Sequence, residues 1–120
     1  MAKTLAVGEH RLLFTPGVND RIADDEKFAR FVWQSLARFG RGDWGTVGPD
    51  DWRANDADLE SLNSGGWYGR ILAAYNDTTF EYGPGIVTTA GATLGSLWII
   101  RNTAEENGTQ AIMVLFPDEY

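Results

Sequence analysis

The chain has 120 residues, ten of them basic and seventeen acidic, with a single histidine and no cysteine. That length reads as one domain, 1–120. Without cysteine there is no disulfide framework and no usual structural zinc site, and the net charge of −7 repels a phosphate backbone. Five Trp, four Tyr and six Phe supply ample core material and argue against disorder.

Residues 1–10 carry no apolar run long enough for a signal peptide and read as a flexible lead-in. The absence of cysteine suits a reducing compartment, so a cytoplasmic protein is expected. Arg11–Thr15, with Leu12, Leu13 and Phe14 in succession, predicts a short buried strand, and Pro16-Gly17 reads as the turn that closes it. From about Asp24 to Phe39 the spacing predicts a helix. Phe28, Phe31, Val32, Ser35, Leu36 and Phe39 recur every three or four residues. Asp24, Asp25 and Glu26 lie at its positive end, and Gly40 is a natural stop. Gly42-Asp43-Trp44-Gly45 is a tight connection. Gly48-Pro49 then opens a second helix that runs to about Leu62.

The second half reads as strands. Arg70–Tyr75, Gly95–Arg101 and Gln110–Phe116 are the three clear ones, the last two joined by a hairpin loop over 102–109. Both faces of the last strand are apolar, as a covered central strand requires. Residues 77–95, punctuated by Gly83, Gly85, Gly91 and Gly95, read as an inserted hairpin arm around Ile86–Thr89. The expected architecture is α+β: two helices on one face of an antiparallel sheet of about four strands.

Chemistry-bearing patterns are sparse. The carboxylates Asp24-Asp25-Glu26 and Asp50-Asp51 are adjacent on helices, so their side chains diverge and suit a helix dipole better than a cation. The glycines around 83–85 and 91–95 lack the following helix and lysine of a phosphate loop. Asp43, Asp56 and Asp58 form no distinctive pair for sugar chemistry, and the serines have only His10 as a possible base. The sequence therefore predicts no catalytic centre, no metal and no cofactor. Arg21, Lys27, Arg30, Arg38, Arg41 and Arg53 interleave with Trp33, Trp44 and Trp52, which is the best case for a nucleic-acid or small-molecule surface. Residues 71–120 hold six acids and only Arg101, an imbalance that suits a basic protein partner. The expected partner-binding residues are Asp77, Glu81, Glu105, Glu106, Asp118 and Glu119, with Trp44 as an aromatic contact. Trp44 has the alternative role of plugging the gap between the helices.

Phe14-Thr15-Pro16-Gly17-Val18-Asn19-Asp20-Arg21, Gly42-Asp43-Trp44-Gly45, Asn55-Asp56, Arg70-Ile71-Leu72, Leu97-Trp98-Ile99-Ile100 and Val114-Leu115-Phe116-Pro117-Asp118-Glu119-Tyr120 together resemble a set of small bacterial proteins. These are called plasmid-related and are carried by mobile elements. The likeness spans most of residues 11–120. It departs at 77–95 and where Arg101-Asn102-Thr103 replace the family's charged residues after the Trp-Ile-Ile strand. The resemblance implies a non-enzymatic protein that binds a host component, such as a CRISPR or restriction effector. The alternative is a small-molecule or nucleic-acid-binding regulator built on the Arg/Trp region.

Overall fold

The computed structural model describes residues 5, 10–64, 70–77, 86–87, 93–102 and 111–120. In chain order they form β1 (Arg11–Phe14), α1 (Pro16–Asp24), α2 (Glu26–Gly40), α3 (Pro49–Asn63), β2 (Ile71–Asp77), β3 (Ile86–Val87), β4 (Thr93–Asn102) and β5 (Ala111–Leu115), closed by a 3-10 turn over Pro117–Glu119. The α+β class is as expected. Two details differ from expectation: there are three helices, and the sheet is mixed. Its order is β1-β5-β4-β2, with β1 parallel to β5 and the other neighbours antiparallel. A parallel pair needs a crossover rather than a hairpin, and here everything from α1 to β4 lies between the two strands.

Pro16-Gly17 starts a helix instead of only ending a strand. Proline fits the first helical position, where its missing N–H leaves nothing unsatisfied and its φ is already helical. The helix predicted over 24–39 is α2, and the unpredicted α1 is separated from it at Asp25. That residue leaves helical geometry (φ −136°, ψ 104°), and its carboxylate accepts from the Lys27 and Phe28 N–H groups. Of the three adjacent acids, Asp25 is thus the N-cap.

Strand register sorts the sheet residues into two faces. Ile71, Ala73 and Tyr75 stand opposite Arg101, Ile99 and Leu97, which continue onto Ile112 and Val114 and then Leu12 and Phe14. These residues, Arg101 apart, join Val18 of α1, the α2 stripe Phe28, Phe31, Val32, Leu36 and Phe39, and Leu59 of α3 in one core. Ser35 lies in that stripe, 1 % exposed, and its hydroxyl has no hydrogen-bond partner. The second face carries Leu13, Leu72, Trp98, Ile100, Met113 and Leu115. β3 pairs antiparallel with the start of β4 through Ile86–Leu94 and Val87–Thr93. The rest of the expected 77–95 arm, the loop 103–110 and most of residues 1–9 lie outside the described residues. Among the described residues, no helix is long and apolar enough to cross a membrane.

Candidate functional site on the second face of the sheet

The sequence motifs meet in two places, and both hold the fold together. The first is the outer edge of β2. An edge strand presents unpaired N–H and C=O groups and must be covered. Here the Thr46 N–H donates to the Ala74 carbonyl at 2.8 Å, and the Ala74 N–H donates to the Trp44 carbonyl at 3.3 Å. One step along, the Asn55 amide donates to the Leu72 carbonyl at 2.8 Å and accepts from the Leu72 N–H at 3.4 Å. The turn comes this close because Gly45 has φ +76°; a Cβ there would stand 1.9 Å from the Ala74 carbonyl oxygen. Asp43 pins the turn, accepting two bonds from Arg38 at 2.7 and 3.2 Å and one from the Gly45 N–H. The Arg38 hydrogen bond is the main reason the Asp43 carboxyl lies below its ordinary range, against an upward push from partial burial. Tyr75 donates to the Asp43 carbonyl at 2.8 Å, and burial pushes its phenol far above the ordinary value.

Trp44 belongs to this structure. It is 0 % exposed, packs edge-on against Phe39 at 5.4 Å, and its indole N–H donates to Asp56 at 2.9 Å. Its expected role as a partner contact is therefore corrected: it plugs the core between the helices and the β2 edge. The glycines flanking Trp44 serve the turn, with positive φ at Gly42 and Gly45.

The second meeting point joins the two ends of the described chain. The Glu119 carboxylate accepts from the Thr15 hydroxyl at 2.6 Å, the Gly17 N–H at 3.0 Å and the Phe116 N–H at 3.1 Å. Thr15 makes no side-chain cap of its own, so Glu119 caps α1 from across 102 residues of sequence. Burial raises the Glu119 pKa, but the bonds from Thr15, Phe116 and Gly17 outweigh it and the net shift is downward. Glu119, placed among partner-contacting residues by the sequence, has both oxygens engaged within the chain. Of the other residues in that set, Asp77 ends β2 and Asp118 lies in the final turn, while Glu81, Glu105 and Glu106 fall outside the described residues.

Several of the remaining acid–base candidates are likewise engaged. Asp25 caps α2, and the Phe28 N–H is the main cause of its lowered pKa. Asp50 pairs with Arg53 and Asp56 holds Trp44. Arg101 is 0 % exposed, and its Nε–H donates to His10 Nε2 at 3.0 Å, which requires that ring nitrogen to be bare. Burial lowers the Arg101 pKa and Asp58 partly restores it. Among the described residues, no three His, Cys, Asp or Glu side chains gather where they could hold a metal. In the Arg/Trp region, Arg21, Arg38 and Arg53 each pair with an aspartate. Trp33 is 50 % exposed and leans edge-on against Phe14 at 5.9 Å.

What the second face offers is a cleft of about 190 Å³ lined by Arg70, Ile100, Met113, Leu115, Glu119 and Tyr120. Pro117 ends the strand, and the 3-10 turn, held by Glu119, folds Tyr120 back over the sheet. Its ring meets Trp98 edge-on at 5.6 Å, and its hydroxyl accepts from Arg70 at 2.5 Å. The floor is apolar, the rest of the lining is the Arg70 guanidinium, the Glu119 carboxylate and the Tyr120 ring, and Tyr120 remains 72 % exposed. Sequence reasoning missed this grouping. Its signal was the apolar second face of β4 and β5, which reads equally as a strand covered within its own chain. Comparison of the chain with family models, curated proteins and solved structures finds no match.

Proposed function

We propose that this is a non-enzymatic binding protein that docks a protein partner on the second face of its sheet. In this reading the helices occupy one face and leave Trp98, Met113 and Tyr120 on the other for the partner. The observation that carries it is the cleft itself. At about 190 Å³ it is smaller than the roughly 300–1,000 Å³ of pockets that enclose a small molecule, and it suits a single inserted side chain. Arg, Tyr and Trp are also the residues that dominate protein–protein hot spots. Kinship with the plasmid-related proteins belongs to the same reading. It makes the partner a cytoplasmic host component, of the kind that handles nucleic acid.

The test is capture from host lysate with immobilised wild-type protein, Tyr120→Ala, Met113→Lys and, on the helical side, Arg30→Glu. A protein held by wild type and Arg30→Glu but lost from the other two supports the reading, provided all four melt alike. Equal capture by every variant refutes it. Loss with Arg30→Glu alone, together with salt-dependent nucleic-acid binding, supports the Arg/Trp alternative.

A further inference from the structure

We infer that the cleft recognises a carboxylate set beside an apolar side chain, as a short acidic–apolar peptide segment presents them; this rests on the docking reading above. The argument is charge complementarity at a defined place. Arg21, Arg38 and Arg53 each have an aspartate of their own chain within 4.0 Å, and Arg101 is buried. Arg70 differs. It is exposed, and among the described residues its contacts are the Tyr120 hydroxyl at 2.5 Å and the Tyr120 ring, 5.9 Å from the guanidinium carbon. A guanidinium has five donors in a planar fork, and one bond to a phenol leaves the geometry for a bidentate carboxylate available.

The other charged group in the lining, Glu119, keeps its charge but directs its oxygens away from Arg70. Glu119 is tied by Thr15, Gly17 and Phe116, so its oxygens are turned to α1 and the start of the final turn. The cleft therefore presents one open cation at the rim of an apolar floor in which Met113 is part-exposed and Ile100 and Leu115 lie deeper, 4 % and 1 % exposed. A basic side chain would meet Arg70 with like charge. A purely apolar one would fill the floor and leave the guanidinium solvated. Tyr120 positions Arg70 while packing edge-on against Trp98, which fixes the distance between the charged and apolar halves of the site.

Blocked dipeptides test this directly: acetyl-Phe-Asp-amide, acetyl-Phe-Asn-amide and acetyl-Phe-Lys-amide, titrated into the isotope-labelled full chain and followed by NMR. Ligands this small bind with a dissociation constant on the order of 1 mM at best. The expected result is shifts at Arg70, Ile100, Met113, Leu115 and Tyr120, with the Asp probe binding at least about fivefold tighter than the Asn probe. That preference should vanish in Arg70→Gln and persist in part in Arg70→Lys, with unchanged melting temperatures. Equal binding of the three probes at the cleft would overturn the carboxylate preference while leaving peptide docking intact. Shifts elsewhere, or none at the cleft, would also overturn it. Lysate capture lost with Tyr120→Ala but indifferent to Arg70→Gln would separate this failure from failure of the docking reading.

Discussion

Removing the Glu119 carboxylate should destabilise the protein well beyond the effect of a surface substitution. In Glu119→Ala the Thr15 hydroxyl and the Gly17 and Phe116 N–H groups lose their acceptor together. Charge-assisted bonds at a partly hydrated site are worth about 1.5 kcal/mol each, and water reaching the released donors restores roughly half. The expected loss is about 2–3 kcal/mol, a fall of roughly 1–2 M in the urea midpoint. The pH dependence has a definite sign. The folded-state pKa of Glu119 is depressed below 4.5. Its stabilisation is therefore complete above the unfolded value and disappears as pH falls through the folded one. The stability gap between wild type and Glu119→Gln should stay constant from neutral pH to about 5 and narrow below that. A double-mutant cycle adds a second readout. A Cβ at Gly17 would lie 2.7 Å from a Glu119 oxygen, so Gly17→Ala should be harmful while Glu119 is present. In the Glu119→Ala background the same substitution should be neutral, or stabilising by up to about 1 kcal/mol through helix propensity. Urea curves that coincide at neutral pH, or a gap unchanged at pH 3, would refute the clamp.

Three further outcomes are expected. Gly45→Ala should cost at least about 3 kcal/mol or prevent folding, since φ +76° and the Ala74 carbonyl both exclude a side chain, whereas Gly48→Ala, with nothing within 4 Å, should cost under about 1 kcal/mol; thermal melts compare them. Asn55→Ala should cost about 1–3 kcal/mol by freeing the Leu72 backbone groups, and light scattering should show concentration-dependent association through the bared edge. Ser35→Ala should stabilise by about 0.5–1.5 kcal/mol, because it removes a buried hydroxyl without a partner and improves helix propensity; a lower urea midpoint would count against that account.

Much of the fold was legible where a single local signal decides it. The α2 stripe from Phe28 to Phe39 gave the helix and its facing, and Pro49 marked the start of α3. The failures share a cause. Pro16-Gly17 is compatible with a turn and with a helix start, and only the distant Glu119 makes the second reading favourable. Asp24-Asp25-Glu26 reads as charge in one first turn, and the break at Asp25 is set by where α1 ends. The parallel pairing of β1 with β5 leaves no trace in either strand, because a register is a relation between segments. The site was harder still. Trp44 stood out as a tryptophan between glycines, yet those glycines exist to bring its backbone onto Ala74. Arg70, Trp98 and Tyr120 carry no individual mark; the return of the final turn brings them together.

The pairing of β1 with β5 also sets the timetable of synthesis. β1 leaves the ribosome before the other described elements, and its only strand neighbour among the described residues is 100 positions later, Arg11 opposite Ala111. At cellular elongation rates that is a wait of roughly 5–20 s. Throughout it Leu12, Leu13 and Phe14 have no sheet to join, and α1 lacks the carboxylate that caps it. The nascent chain cannot lay down its sheet progressively along these residues, and assembly of β1 with the rest waits until β5 has emerged.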